Sequence, residues 1–133
     1  MGIKKVEEFL KGSTVFYLTT IDGNKPKCRP LGLHLLLEDK LYFGVGTFKD
    51  VYAQMQVNPN VEICICKDSE FLRYYGKAVF ETDDRIANIA IKFSTFLQKI
   101  YNESTGKKLA MFRLEEATAE FRSMTGIQEA YSF

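Results

Sequence analysis

Between Lys27 and Tyr52 the chain places cationic side chains, a hydroxyl and a run of glycine-freed amides in two neighbouring stretches. Lys27-Cys28-Arg29-Pro30 opens the segment, and Gly44-Val45-Gly46-Thr47-Phe48-Lys49-Asp50 closes it. Such groups can hold a phosphate at the mouth of a small β-barrel. Gly44 and Gly46 would let the backbone approach a ligand closely, where a Cβ would block it. Thr47 precedes a helix predicted to begin near Phe48, so its hydroxyl and the first free N–H groups could face one anion. Lys49 adds a point charge, and Arg29 a planar fork of donors. The plainer alternative is a strand, a turn and a helix with a solvated charge at each end.

The elements that must position these groups follow from periodicity. Ile3, Val6, Phe9 and Leu10 have helical spacing, and Gly12 follows as a stop. Val15 to Ile21 is β-branched and aromatic and runs into Asp22-Gly23-Asn24, which reads as a hairpin. A second strand is predicted over Lys25 to Leu37 and a third over Leu41 to Val45, joined by Glu38-Asp39-Lys40. The helix from Phe48 ends at Asn58-Pro59-Asn60. Val61 to Cys66 and Phe71 to Glu81 read as strands, and Ile86 to Ile100 as one amphipathic helix with Asp83 or Asp84 as its N-cap. Leu109 to Met124 reads as a long last strand, bulged near Glu115-Glu116. Six strands with short connections and no regular strand–helix alternation predict a single-domain, mainly antiparallel barrel with a few packed helices.

Composition narrows the function. A chain of 133 residues, 46% hydrophobic and 26% charged, is globular and makes one domain. A net charge of +1 with no long run of like charge argues against a nucleic-acid footprint. The N-terminus lacks an apolar signal core, and no apolar run approaches a membrane span, so no membrane partner is expected. Three cysteines, Cys28, Cys64 and Cys66, are an odd count without framework spacing, which suggests reduced thiols and a cytoplasmic setting. Cys64 and Cys66 share one strand face. With a single histidine in the chain, buried apolar cysteines explain them better than a metal pair, and no metal is expected.

The order of motifs carries a resemblance. Phe16-Tyr17-Leu18-Thr19-Thr20-Ile21-Asp22-Gly23, Arg29-Pro30-Leu31-Gly32, Leu41-Tyr42-Phe43, Thr47-x-Lys49-Asp50-Val51-Tyr52, Asn58-Pro59-x-Val61-Glu62 and Gly76-Lys77-Ala78-Val79-Phe80 follow one another. In that order the chain resembles the pyridoxamine 5′-phosphate oxidase-like, FMN-binding split-barrel proteins, in their short bacterial branch. The resemblance implies a homodimeric, six-stranded split β-barrel with FMN at the subunit interface. It implies that Arg29-Pro30-Leu31-Gly32 lies along the flavin and that Thr47 and Lys49 meet its phosphate. Tyr42 and Phe43 then run beside the cofactor, and the strand with Phe71 and Tyr74 approaches from the partner subunit. Lys27, Gly44, Val45 and Tyr52 complete the expected cofactor set. The chain departs from the oxidase proper in having Phe48 where that branch has a second cation. It also lacks Trp and the C-terminal elements that grip pyridoxal phosphate, so vitamin-B6 oxidation is not expected.

The implied biochemistry is flavin-dependent oxidation or reduction of a small planar molecule, with NADH or NADPH as a donor that docks transiently. There is no Gly-x-Gly-x-x-Gly fingerprint for a resident nicotinamide. Phe48, Tyr52, Phe71 and Tyr74 are expected to form a flat aromatic surround. The competing class is a flavin- or heme-binding carrier or sensor without turnover. His34 is the sole imidazole; strand alternation puts it on the side of Pro30 and Gly32, opposite Leu31, Leu33 and Leu35. There it could reach a flavin edge, or simply be a surface or core histidine. A catalytic triad or a paired-carboxylate site has no support in the residues present.

Overall fold

The computed structural model describes residues 2–133. The first helical pattern forms α1 (Gly2–Lys11), which seats Val6 and Leu10 in the core with no exposure. In β1 (Phe16–Asp22), Phe16, Leu18 and Thr20 face inward while Tyr17, Thr19 and Ile21 face outward. Gly23, at φ 66°, makes the tight turn into β2 (Lys25–Leu31). The remaining elements are β3 (His34–Leu37), β4 (Lys40–Gly46), α2 (Asp50–Val57), β5 (Asn60–Lys67) and β6 (Glu70–Phe80). They are followed by α3 (Arg85–Lys92), α4 (Thr95–Ile100), β7 (Leu109–Ser123) and β8 (Gly126–Ser132).

The strands pair antiparallel in the order β2-β1-β5-β6-β7-β4-β3, with β8 added to the distal half of β7. This is the split-barrel architecture expected, built from eight strands rather than six. Two strands escape the pattern. The segment predicted as a single strand from Lys25 to Leu37 divides around Gly32 and Leu33. Pro26 and Pro30 lack N–H donors, which confines β2 to the sheet edge, and the chain then crosses to pair β3 with β4. Strand β8 carries mostly exposed polar residues and so gives no alternating signal.

Helix boundaries differ for local reasons. Helix α2 begins at Asp50 because Thr47 and Phe48 form a turn, closed by the Lys49 N–H donating to Gly46 O at 3.1 Å. The helix expected over Ile86–Ile100 breaks at Phe93. Ser94 caps the second piece, its Oγ accepting from the Leu97 N–H at 3.1 Å. Asp84 occupies the N-cap of α3, but the capping oxygen comes from Asp83, whose Oδ1 accepts from the Arg85 N–H at 3.0 Å.

The core has two parts. Inside the barrel, Phe16, Phe43 and Phe112 are essentially fully buried, with ring centroids 5.4 Å and 5.7 Å apart along the chain of contacts. Each such ring contributes roughly 1.5–3 kcal/mol by leaving water. On the outside of β4 and β7, Tyr42, Leu109 and Met111 meet Ile86, Ala87 and Ala90 of α3 and Leu97 of α4. Strand β4 is thus covered on both faces, which is why Leu41 to Gly46 is buried without alternation.

The outer face of β1, β5, β6 and the distal half of β7 is different. Pairing sets Pro30, Tyr17, Cys64, Arg73, Glu120 and Ala130 in one row across six strands. Arg73 donates from Nε and Nη2 to Glu62 at 2.5 Å and 2.8 Å, Tyr75 donates to Glu120, and Arg122 Nε donates to Glu120 at 2.7 Å. Cys64 and Cys66 do share this face, but the expectation of buried cysteines fails. Cys28 and Cys66 are exposed and Cys64 is intermediate, because their alternation points them away from the barrel.

His34 also departs from simple alternation. The break at Gly32 shifts the phase, so Leu31 and His34 both turn toward the interior cluster, while Leu33, Leu35 and Leu37 pack on the α3 side. The imidazole lies 6.3 Å from the Phe16 ring, and its Nδ1 is 3.5 Å from Oε2 of the buried Glu7. Burial holds its pKa below the ordinary 6.5, partly countered by Glu7 and reinforced by Lys11. His34 is therefore neutral in the fold near neutral pH. Its contribution to stability is full above the unfolded value and disappears as pH falls through the depressed folded value. Urea titrations at falling pH should show a smaller loss of stability for His34→Gln than for the parent. Equal losses in the two proteins would remove His34 from the acid response.

Candidate functional site

The site begins with a buried hydroxyl. Thr20 is wholly buried, and its Oγ1 donates to Gln54 Oε1 of α2 at 2.6 Å. Arg29 of the edge strand β2, paired opposite Leu18, reaches over the same oxygen. Its Nη1 donates to Thr20 Oγ1 at 2.7 Å, and its Nη2 to Gln54 Oε1 at 2.8 Å. Backbone oxygens of Lys27 and Leu18 accept further contacts from Nη1 at 3.2 Å and 3.3 Å. Thr20 thus both accepts and donates, and Arg29 is pinned by β1 and α2 together. Partial burial lowers the guanidinium pKa, while Cys28 and Asp50 oppose the shift. An arginine stays charged through such a change.

Pinned in this way, Arg29 stands in an open depression of about 640 Å³ with Lys27, Lys49, Asp22, Asp50 and the face of Phe48. Three cations against two carboxylates leave the depression positive. Next to it lies an apolar slot of about 410 Å³. Its one wall is Pro30, Leu31, Gly32 and Leu33; the other is Gly44, Val45 and Gly46, with Phe96, Leu97 and Tyr101 closing it from α4. Lys49 lines both spaces and joins them. A flat apolar body with an anionic tail matches this pair of surfaces.

Of the expected residues, Lys27, Arg29, Pro30, Leu31, Gly32, Gly44, Val45 and Lys49 therefore converge on two adjoining cavities. Six others stand elsewhere. Tyr42 is 3% exposed beneath α3, where burial and then Glu81 push its phenol pKa up. Phe43 lies in the barrel core. The Thr47 N–H is already committed to Lys108 O at 2.9 Å, and Thr47 lines neither cavity. Tyr52 packs edge-on against Phe80 at 5.1 Å. Phe71 sits on the outer face of β6, opposite Cys66 and Arg122. Tyr74 is 2% exposed inside the barrel, with burial raising its phenol to about 12.

The two glycines also read differently in three dimensions. A Cβ on Gly44 would meet Leu33 Cδ2 at 2.5 Å, and one on Gly46 would meet Phe48 Cε1 at 2.5 Å. Close packing of these side chains requires the glycines. The aromatic groups are Phe96 and Tyr101 in the slot and Phe48 in the depression, with Phe48 half exposed and Phe96 at 69%. Thr20, Gln54, Leu33 and the α4 residues were not singled out by the sequence. Thr20 carried a signal, a hydroxyl on the buried parity of a strand; α4 carried none.

Replacing Thr20 by Val keeps the shape and removes the shared oxygen. Thr20→Val should lower stability by about 1–3 kcal/mol, the cost of leaving buried partners of a charged group unsatisfied. Urea unfolding measures this, and an unchanged midpoint would show that Arg29 is held without it.

Comparison with known proteins bears on this site. The sequence matches the family described as pyridoxamine 5′-phosphate oxidase over residues 3–123. Among solved structures, a NimC/NimA family protein from Clostridium acetobutylicum aligns at 29% identity with a TM-score of 0.87, over 99% of this chain and 92% of that one. General Stress Protein 26 from Bacillus anthracis aligns at 16% identity and a TM-score of 0.72, over 98% of each chain. A heme binding protein from Mycobacterium smegmatis aligns at 14% identity and a TM-score of 0.69, over 100% of this chain and 57% of that one. At these lower identities the likeness extends to the fold alone. A search of curated proteins finds no match.

Proposed function

The chain belongs to the pyridoxamine 5′-phosphate oxidase family, and from that premise we propose that it binds FMN and acts as an oxidoreductase on a small planar molecule. The observation that carries the reading is the position of Lys49, shared between an apolar slot and a cationic depression. The residues fit the cofactor. Arg29, Lys27 and Lys49 would hold the phosphate, and the Pro30–Gly32 and Gly44–Val45 segments would flank the ring. FMN supplies two-electron redox chemistry through its ring system. The protein's part is orientation, exclusion of water by Leu33 and Leu97, and a flat aromatic entrance at Phe96 and Phe48. NADH or NADPH would serve as donor by transient docking.

The assembly proposed is a homodimer through the outer face of β1, β5 and β6. That face carries Tyr17 at 49% exposure, and its rows end at Pro30, beside the slot, and at Cys28, in the depression. A second copy seated there would bring Phe71 close to the neighbouring cavities. Exposed free thiols suit a reducing compartment such as the cytoplasm. Among the described residues no helix is long and apolar enough to cross a membrane, and no cluster of side chains suits a metal ion. The heme-carrier alternative gains nothing from His34, which is turned inward against Glu7 and Phe16.

FMN should bind far more tightly than riboflavin, and Lys49→Ala should weaken FMN binding by about 1–3 kcal/mol, the scale of a hydrogen bond to a charged group. Equal affinity of parent and variant would move the phosphate elsewhere. Stopped-flow reduction by NADH or NADPH, followed by quinones and nitroaromatics, should give turnover faster than oxygen alone; its absence favours the carrier. Sedimentation should give a dimer, and a monomer that retains FMN would count against the interface.

A further inference from the structure

A separate cavity, of about 660 Å³, opens where the start of α1, the β3–β4 turn and the end of β8 meet. It shares no residue with the slot or the depression. Its walls are apolar: Ile3, Leu41, Leu114 and the ring of Phe133. Lys4 and Lys40 stand at its mouth, exposed and without an ion-pair partner among the described residues. Asp39 is beside them, and Arg113 is occupied by Glu81 at 3.5 Å and Glu115 at 2.6 Å. Gly2 also lines the mouth, so the ten-residue helix α1 directs its N-terminal end there, with no acidic residue in its first turn.

What points to a ligand is the floor. Tyr74 lines this cavity and is 2% exposed, yet its hydroxyl bonds to no described residue. Its ring is part of the cavity wall, so the phenol is the polar group on an otherwise apolar floor. Phe133 packs edge-on against its ring at 6.1 Å and fixes the direction of the phenol. A hydroxyl set in an apolar wall gives a polar group of a bound molecule a partner that the surrounding side chains do not offer.

We propose that this cavity is a second ligand site, taking a small organic carboxylate with an apolar body and a hydrogen-bonding group at its far end. The carboxylate meets Lys4, Lys40 and the helix terminus. The body lies against Leu41, Leu114 and Phe133, and the far group bonds the Tyr74 hydroxyl. Burial keeps that phenol protonated well beyond neutrality, so it is available as a donor. The site touches none of the residues that line the slot or the depression.

The test is a heteronuclear NMR titration of the full chain with 4-hydroxybenzoate, benzoate and 4-hydroxybenzyl alcohol. The hydroxybenzoate should shift resonances at the start of α1, the Asp39–Leu41 turn, Leu114 and Phe133. The uncharged alcohol should bind at least about tenfold more weakly, as expected for loss of a charge-assisted contact. Tyr74→Phe should weaken hydroxybenzoate about five- to tenfold and leave benzoate unchanged, the loss of one hydrogen bond. Lys40→Gln, an exposed position that leaves the core intact, should weaken both acids and reduce the salt dependence of binding. The proposal is overturned if no probe shifts these resonances up to its solubility. It is equally overturned if acid and alcohol bind alike, or if both variants bind as the parent does.

Discussion

The fold depends on one close approach between two backbones. Strands β6 and β7 pair in register from Glu70–Ser123 to Tyr75–Thr118, then slip, and resume at Lys77–Glu115. Two residues of β7 face one residue of β6 at the slip, and that one is Gly76. A Cβ there would stand 2.7 Å from Glu115 O and 2.9 Å from Ala117 Cα, which no side chain permits. The extra residue on β7 is taken up by Glu116 in the left-handed region, at φ 49°. Such a bulge bends the strand and raises its twist. Beyond it, β7 leaves β8 behind and gains β4, so a single fifteen-residue strand serves both halves of the split sheet.

Much of this was legible in the residues. The hairpin at Gly23, the first helix and the bulge near Glu115-Glu116 each have a local chemical cause that sequence displays. The convergence of Pro30–Gly32 on Gly44–Val45 was legible only through the order of motifs, since no spacing rule joins strands so placed. What escaped detection depended on tertiary partners. Strand β8 has no apolar parity because it rests on an edge, and the end of β2 is decided by which neighbour β3 finds. Helix α4 is short, and only its contact with the outer core makes Phe96 and Tyr101 part of a wall. Tyr74 shows the opposite error: an aromatic pair reads alike whether its rings point in or out, yet the register sends Tyr74 inward and Tyr75 out.

The polar groups divide by the same geometry. On the open sheet face, Arg73, Glu62, Glu120 and Arg122 satisfy one another in a partly exposed network, which adds little net stability but sets a fixed pattern of charge. In the depression, Arg29 is instead held by Thr20, Gln54 and the backbone oxygens of Leu18 and Lys27. Its Nε–H has no acceptor among the described residues, on a group otherwise rigidly held. Rigidity of that kind is what an anion site requires, because a preorganised donor loses less freedom on binding.

The two ends of the chain meet in space. Lys5 of α1 pairs with Glu129 of β8 across 124 positions, and Gly2 lies against the rings of Tyr131 and Phe133. Loops of that length close slowly, and contacts of large sequence separation form late in folding. During synthesis, α1 emerges before the strands that seat it, β3, β4 and β6, so its apolar stripe waits exposed until β6 has followed. The central meander of β5, β6 and β7 has nearer partners and can assemble meanwhile. The Lys5–Glu129 pair and the rings of Tyr131 and Phe133 at Gly2 are then added last, over a helix already seated on the sheet, and fasten its first turn.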